Sequence, residues 1–129
     1  AHETIIWARK SKDTRHKFNY NLMKKWNDKI SPSGKQMRSV WYIPLTPQYE
    51  KRYGKHPTQK PEELLRRIIA SSSDEGDLIL DPFNGSGTTG VIAHQLGRNY
   101  IGMEMDENFL ELTKKRILGV KKQTELNSY

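Results

Sequence analysis

Residues 78–90 read Leu78-Ile79-Leu80-Asp81-Pro82-Phe83-Asn84-Gly85-Ser86-Gly87-Thr88-Thr89-Gly90. Three apolar residues in a row describe a short buried strand. The six residues Gly85 to Gly90 after it have the G-x-G-x-x-G spacing of a ligand-binding turn that opens a helix. In such a turn the glycines serve a tight bend, a close approach of backbone to ligand, and close packing of helix on strand. Upstream, Pro61-Glu62-Glu63 opens a helix, since Pro suits the first helical position and acids suit the first turn. Leu64, Leu65, Ile68 and Ile69 give that helix an apolar stripe, and Asp74-Glu75-Gly76 turns the chain into the strand. Downstream, a helix runs to about Leu96 and is closed by Gly97. Residues 100–105 form the next strand. Asp106 is an N-cap for a last helix that carries Phe109, Leu110, Leu112, Ile117 and Leu118. Strand, glycine loop, helix, strand, helix is the start of a doubly wound α/β fold. A unit of this kind has too few strands to cover itself.

Charge decides which ligand the loop takes. In a nicotinamide site the turn follows the strand almost at once, and the pyrophosphate meets backbone N–H groups and a helix N-terminus. Here Asp81-Pro82-Phe83-Asn84 intervenes, and a carboxylate beside a pyrophosphate is repelled at short range. Asp81 favours a ligand with positive charge, an α-amino group or a sulfonium. S-adenosylmethionine has both, and its carboxylate can use the N–H groups of the loop. Glu104, at the end of the second strand, is placed to accept hydrogen bonds from ribose hydroxyls. A turn that only allows close strand–helix packing is the structural alternative. No G-x-x-x-x-G-K-[ST] occurs, which argues against a P-loop triphosphate site.

The rest of the chain bounds the possibilities. Its 129 residues are enough for one domain. The hydrophobic fraction of 34% is low, as expected where surface awaits a partner. With no cysteine there is neither a disulfide framework nor a thiolate metal site. His2, His16, His56 and His94 lack ligand spacing, and no metal is expected. No apolar run approaches the ~20 residues of a membrane span, and no signal-peptide pattern is present. The start at Ala1 fits either a segment of a longer protein or removal of Met.

Residues 1–60 hold 14 Lys and Arg against 4 Asp and Glu, a net of +10, while residues 61–129 hold 8 against 11, a net of −3. This asymmetry, with aromatics among the basic residues, points the first half at nucleic acid rather than at solvent alone. Its texture is irregular. Residues 3–8 and 39–43 read as strands, 9–17 as a basic loop, 19–26 as a short helix with Leu22, Met23 and Trp26 at helical spacing, and 31–34 as a turn.

His56-Pro57-Thr58-Gln59-Lys60-Pro61, Asp81 to Thr89, and Gly102-Met103-Glu104-Met105-Asp106 follow one another in this order. Together with His2 to Ala8, they give the chain a resemblance to the C-terminal part of the beta-class amino methyltransferases of prokaryotic restriction–modification systems. The resemblance spans nearly all of residues 1–118. It implies part of a Rossmann-like, S-adenosylmethionine-dependent fold carrying an irregular basic DNA-recognition segment. Residues 1–9 would be a core strand, 10–55 the target-recognition region, 56–118 the cofactor-binding α/β unit and 119–129 a polar tail. Thr58 and Lys60 would hold the methionine carboxylate, and Asp81 and Phe83, with Asn84, Gly85, Ser86, Gly87 and Thr88, would line the methionine end. Glu104 would bind the ribose. Lys10, Lys12, Arg15, Lys17, Lys24 and Lys25 suit phosphate contacts of double-stranded DNA, while Gln36 and Arg38 suit base edges.

In that family the chemistry is carried by [DNS]-P-P-[YFW], acting on a base taken out of the stack. No such tetrapeptide occurs here: Asp81-Pro82-Phe83-Asn84 and Ser31-Pro32-Ser33-Gly34 both depart from it. The expectation is a cytoplasmic prokaryotic DNA methyltransferase portion with no catalytic residue of its own, inactive alone. An N-terminal catalytic segment, upstream or as a separate chain, would complete it. The resemblance around residues 2–43 favours adenine over cytosine. A nicotinamide-dependent oxidoreductase fragment and a non-enzymatic DNA-binding module are the rival readings.

Overall fold

The structure is a computed structural model; it describes residues 2–26 and 34–127, with side chains as far as Val120. Its elements in chain order are helix α1 (Tyr20–Met23), a 3-10 turn (Gln48–Lys51), α2 (Glu62–Ser72), strand β1 (Leu78–Asp81), α3 (Thr88–Gln95), β2 (Asn99–Gly102) and α4 (Glu107–Asn127). β1 and β2 pair in parallel, from Leu78 opposite Asn99 to Asp81 opposite Gly102. A parallel pair needs a crossover, and α3 provides it.

α3 explains the core. It packs against α2, α4 and the sheet, so Val91, Ile92 and Ala93 are buried on consecutive positions rather than along one stripe. Ile69, Val120 and the half-buried Leu65, Ile79, Leu96, Tyr100 and Ile117 complete the cluster. The close approach of α3 to β2 depends on Gly90, where a Cβ would lie 2.5 Å from the Tyr100 ring. That is the close-packing role expected of the third glycine.

The ends of α2 show how the basic first half is attached. At the start, Pro61 is extended and flanks the helix, one residue before the position expected for it. The Glu62 N–H donates to buried Glu50 Oε2 at 3.0 Å. At the other end, Asn19 Nδ2 donates to the carbonyls of Ala70 and Ser73, and Arg98 donates to Ser73 O, which satisfies acceptors the helix leaves open. Met23 is buried, Trp26 Nε1 donates to Glu63 Oε1 at 2.9 Å, and the Arg67 guanidinium lies 5.8 Å from the Trp41 ring centre.

Several sequence expectations need correction. Residues 3–8 and 39–43 form no strand. β-branched and aromatic residues favour a pleat only where a neighbouring strand takes up the N–H and C=O groups, and the sheet here offers none to them. The helix expected over 19–26 is one turn, and the expected turn at 31–34 lies outside the described residues except for Gly34. β2 stops at Gly102 rather than Met105, because its partner β1 ends at Asp81. Met103 then donates to Asp81 O and accepts from Asn84 N as the two chains part. α4 continues to Asn127, through the segment read as a polar tail.

One face of the sheet is bare. Leu78, Leu80 and Ile101 are 60%, 57% and 47% exposed, whereas Ile79 and Tyr100 turn toward α3. Parallel sheets are ordinarily covered on both faces.

Candidate functional site

The site lies where the chains leave the C-terminal ends of β1 and β2, the place where open α/β sheets take ligands. Asp81, the last residue of β1, accepts the Phe83 N–H on Oδ1 at 3.0 Å and the Thr89 hydroxyl on Oδ2 at 2.6 Å. Its carboxylate thereby ties the entry of the loop to the first turn of α3. Phe83 stands 89% exposed beside it.

Glu104 spans the gap from the other strand. Oε2 accepts the Gly85 N–H at 2.8 Å, while Oε1 accepts those of Met105 at 2.9 Å and Asp106 at 3.0 Å. The Asp106 N–H is the largest cause, with those of Gly85 and Met105, holding this carboxyl below the usual glutamate range. Asp106 Oδ1 accepts the Asn108 N–H, the cap expected at the start of α4.

The segment before α2 lies against the glycine loop. A Cβ at Gly85 would be 3.3 Å from His56 Nε2, and the His56 ring packs against Phe109 at a tilt of 52° with centres 4.2 Å apart. His56 Nδ1 accepts the Thr58 N–H, and Lys60 O accepts the Thr88 hydroxyl at 3.3 Å. Thr58, Lys60, the loop and Glu104 are thus drawn from three stretches of sequence into one region. The Lys60 ammonium pairs with Glu3 at 3.0 Å, with both side chains largely exposed.

Asn84, Ser86 and Thr88 are buried, and their side chains turn inward. Asn84 Nδ2 donates to Gly85 O and Thr113 Oγ1, while its Oδ1 accepts the Tyr100 hydroxyl. Burial, with the Asp81 charge as the lesser cause, pushes the Tyr100 hydroxyl above the usual tyrosine range, so it stays a donor. Gly87 has φ +78°, and a Cβ there would lie 2.5 Å from the Thr113 side chain. Substitution at Gly87 therefore meets both strain and a clash.

Arg116 organises this scaffold and was missed from the sequence. It is 3% exposed on α4, and its Nη1 donates to Ser86 O at 2.9 Å, Ser86 Oγ at 3.1 Å and Thr88 Oγ1 at 2.9 Å. Nη2 donates to Glu62 Oε1 at 3.2 Å. A signal existed: Arg116 stands four residues after Leu112 and four before Val120, in phase with the buried stripe. Glu50, in a stretch read as plain loop, is also buried, and burial raises its carboxyl above the usual range.

The basic residues of the first half divide into groups. Lys10, Lys12 and Arg15 are exposed, as are Lys25, Gln36 and Arg38. Lys17 is held by Asp74 at 2.8 Å and Asp77 at 2.7 Å, which commits its charge within the chain. The Lys24 ammonium lies 5.0 Å from the Tyr20 ring centre. Trp7 is exposed and packs on the His16 and Phe18 rings.

A cavity of about 230 Å³ lies behind the loop, lined by Tyr49, Tyr53, Glu62, Arg116 and Val120 among others. An open groove of about 520 Å³ borders Phe18 to Leu22 and Arg98. Neither is lined by Asp81 or Glu104. Among the described residues no cluster of His, Asp and Glu is placed to hold a metal, and no helix is long and apolar enough to cross a membrane.

Residues 1–115 match the family model described as DNA methylase. The type II methyltransferase M2.DpnII of Streptococcus pneumoniae is 57% identical over 116 residues, covering 89% of this chain and 41% of that protein. M.HinfI of Haemophilus influenzae is 45% identical over 126 residues, 94% of this chain and 34% of that protein. The chain therefore spans well under half the length of these relatives. Among solved structures, the PvuII DNA methyltransferase (cytosine-N4-specific) superposes with a TM-score of 0.54 at 24% identity, covering 78% of this chain and 35% of that one. That likeness is one of fold: the parallel strands and their helices are part of a Rossmann-like α/β architecture.

Proposed function

The chain belongs to the DNA methylase family, and from that premise we propose that it is the cofactor-binding and DNA-reading portion of a restriction–modification methyltransferase. The whole enzyme transfers a methyl group from S-adenosylmethionine to an exocyclic base amino group. The observation that carries this reading is the pair of carboxylates, Asp81 at the end of β1 and Glu104 two residues past the end of β2, both hydrogen-bonded to the glycine loop or its flanks. A negative pair there suits a ligand that is cationic at one end and carries ribose hydroxyls at the other.

S-adenosylmethionine, when bound, supplies an electrophilic methyl group on a sulfonium. The chain's own residues bind and orient it. Asp81 faces the positive α-amino and sulfonium end, with exposed Phe83 covering that end. Glu104, kept ionised by three backbone N–H groups, accepts from the ribose hydroxyls. Thr58 and Lys60 take the methionine carboxylate, which replaces Glu3 on the lysine. Exposed ion pairs contribute at most about 1 kcal/mol, so that exchange is easy. Asn84, Ser86 and Thr88 contribute through the backbone they fix rather than through their inward side chains.

Lys10, Lys12 and Arg15, with Lys24 and Lys25, line the phosphate-binding surface of the first half, and Gln36 and Arg38 read base edges. The resemblance of residues 2–43 to adenine enzymes supports adenine as the target. Without [DNS]-P-P-[YFW] the chain holds no group for the amino nitrogen of a flipped base, so methyl transfer needs the segment that carries it. The bare face of Leu78, Leu80 and Ile101 supports docking of that missing portion. The assembly would act in the prokaryotic cytoplasm.

Calorimetric titration of the chain with S-adenosylmethionine, with NAD in parallel, tests the cofactor assignment. Saturable binding of S-adenosylmethionine alone, lost in Asp81→Ala, is the expected result. Binding of NAD, or affinity for S-adenosylmethionine indifferent to Asp81→Ala, contradicts it.

A further inference from the structure

We infer that Arg116 is the positioning residue of the glycine loop, holding the loop in register with the 56–60 segment so that both halves of the ligand site form together. The inference rests on the reading of this loop as the S-adenosylmethionine site. Arg116 reaches the loop from behind. One nitrogen of its guanidinium serves the Ser86 carbonyl, the Ser86 hydroxyl and the Thr88 hydroxyl; the other serves Glu62. With two hydrogens for three acceptors, Nη1 is saturated.

Each of these bonds sets something a ligand would feel. Drawing the Ser86 carbonyl inward fixes the Ser86–Gly87 peptide plane. The N–H of that trans peptide must then point the opposite way, and it donates to Asn84 O at 2.9 Å. The turn between Asn84 and Gly87 is thereby closed from both sides. Thr88 Oγ1 accepts from Arg116 and donates to Lys60 O, so the same hydroxyl ties the first residue of α3 to the Lys60 backbone. The Glu62 arm lies two residues beyond Lys60, and Glu62 is itself anchored through its N–H on Glu50. One guanidinium thus spans the loop and the segment that carries Thr58 and Lys60.

Docking of α4 has other support, since Leu112 and Val120 are buried and Ile117 packs on the core. The polar reach of Arg116 is directed at the loop. A fork with two arms in fixed geometry is needed for this, and lysine offers a single point charge instead. Burial disfavours the guanidinium charge, and Glu62 and Glu50 recover only part of that cost.

The test uses Arg116→Lys and Arg116→Met in the full chain. Amide hydrogen exchange compares residues 84–89 with Ile69 to Ser71 of α2, whose N–H groups bond within that helix and which serve as the internal reference. Titration with S-adenosylmethionine follows on the same samples. The expected result is an unchanged reference, with loop exchange faster and affinity weaker in both variants. Each change should be roughly tenfold or more, the scale on which loss of a hydrogen bond to a charged group acts. Ser86→Ala combined with Thr88→Val removes the side-chain acceptors while keeping the arginine, and should loosen the same amides. Loop exchange and affinity matching wild type in the arginine variants would overturn the inference. So would equal loss of protection in loop and reference, which would make Arg116 a general support of the fold. If the wild-type chain binds no S-adenosylmethionine, the cofactor reading fails, and the exchange comparison still decides the role of Arg116.

Discussion

Glu104 shows what a single residue reveals and conceals. Its place just beyond the second strand made it a candidate ribose partner in the sequence. Two of its backbone donors, Met105 and Asp106, are sequence neighbours; the third was not legible, because Gly85 arrives from the loop after the other strand. Those donors lower its pKa from an ordinary 4.5, and the sign of the linkage follows. Stability from this group is fully present above 4.5 and is lost as the pH falls through the depressed folded value. Wild type should therefore melt above Glu104→Gln at neutral pH, and the two should converge as the pH drops below the carboxylate range. A melting difference that grows toward acid would contradict this. Asp74 and Asp77, lowered by hydrogen bonds in their cluster with Lys17, titrate in the same window in both proteins and cancel in the comparison.

At the scale of elements, α2, β1, α3, β2 and the start of α4 could be read from pattern, capping and glycine spacing because their determinants are local. The expected strands at 3–8 and 39–43 failed for a reason the sequence could not display: pleating requires a partner, and no neighbouring strand reaches them. The inward turn of Asn84, Ser86 and Thr88 was hidden in the same way, since it is set by Thr113 and Arg116 from α4. α3 carries most of the packing, with Ile92 fully buried between α2, α4 and the sheet. Truncating Ile92→Ala should cost about 2–5 kcal/mol, the usual range for a buried aliphatic cavity. Urea denaturation measures it, and a midpoint equal to wild type would show that α3 is not the centre of the core.

For the molecule as a whole, the sequence divided correctly into a basic first half and an acidic second half, and the structure attaches the first half to α2 through Asn19, Met23 and Trp26. Charge composition alone did not show that Lys17 is spent on Asp74 and Asp77. The exposed Lys10 and Lys12 are the better test of a DNA surface. Reversing both (Lys10→Glu, Lys12→Glu) should weaken binding to duplexes of unrelated sequence alike. It should also flatten the salt dependence by about 0.9 in log–log slope for each phosphate that is no longer neutralised. A slope unchanged by the double variant would move the DNA surface elsewhere. On the proposed reading, the bare face of Leu78, Leu80 and Ile101 is where the rest of the methyltransferase docks.

The most direct test of that account is a methyl-transfer assay on duplex DNA with labelled S-adenosylmethionine. The chain is assayed alone, then mixed with the portion of its 57%-identical relative that lies outside the matched residues. The account predicts no transfer by the chain alone and transfer to an exocyclic amino group by the mixture. Transfer by the single chain would contradict it, as would a mixture that associates and binds S-adenosylmethionine yet leaves the DNA unmethylated.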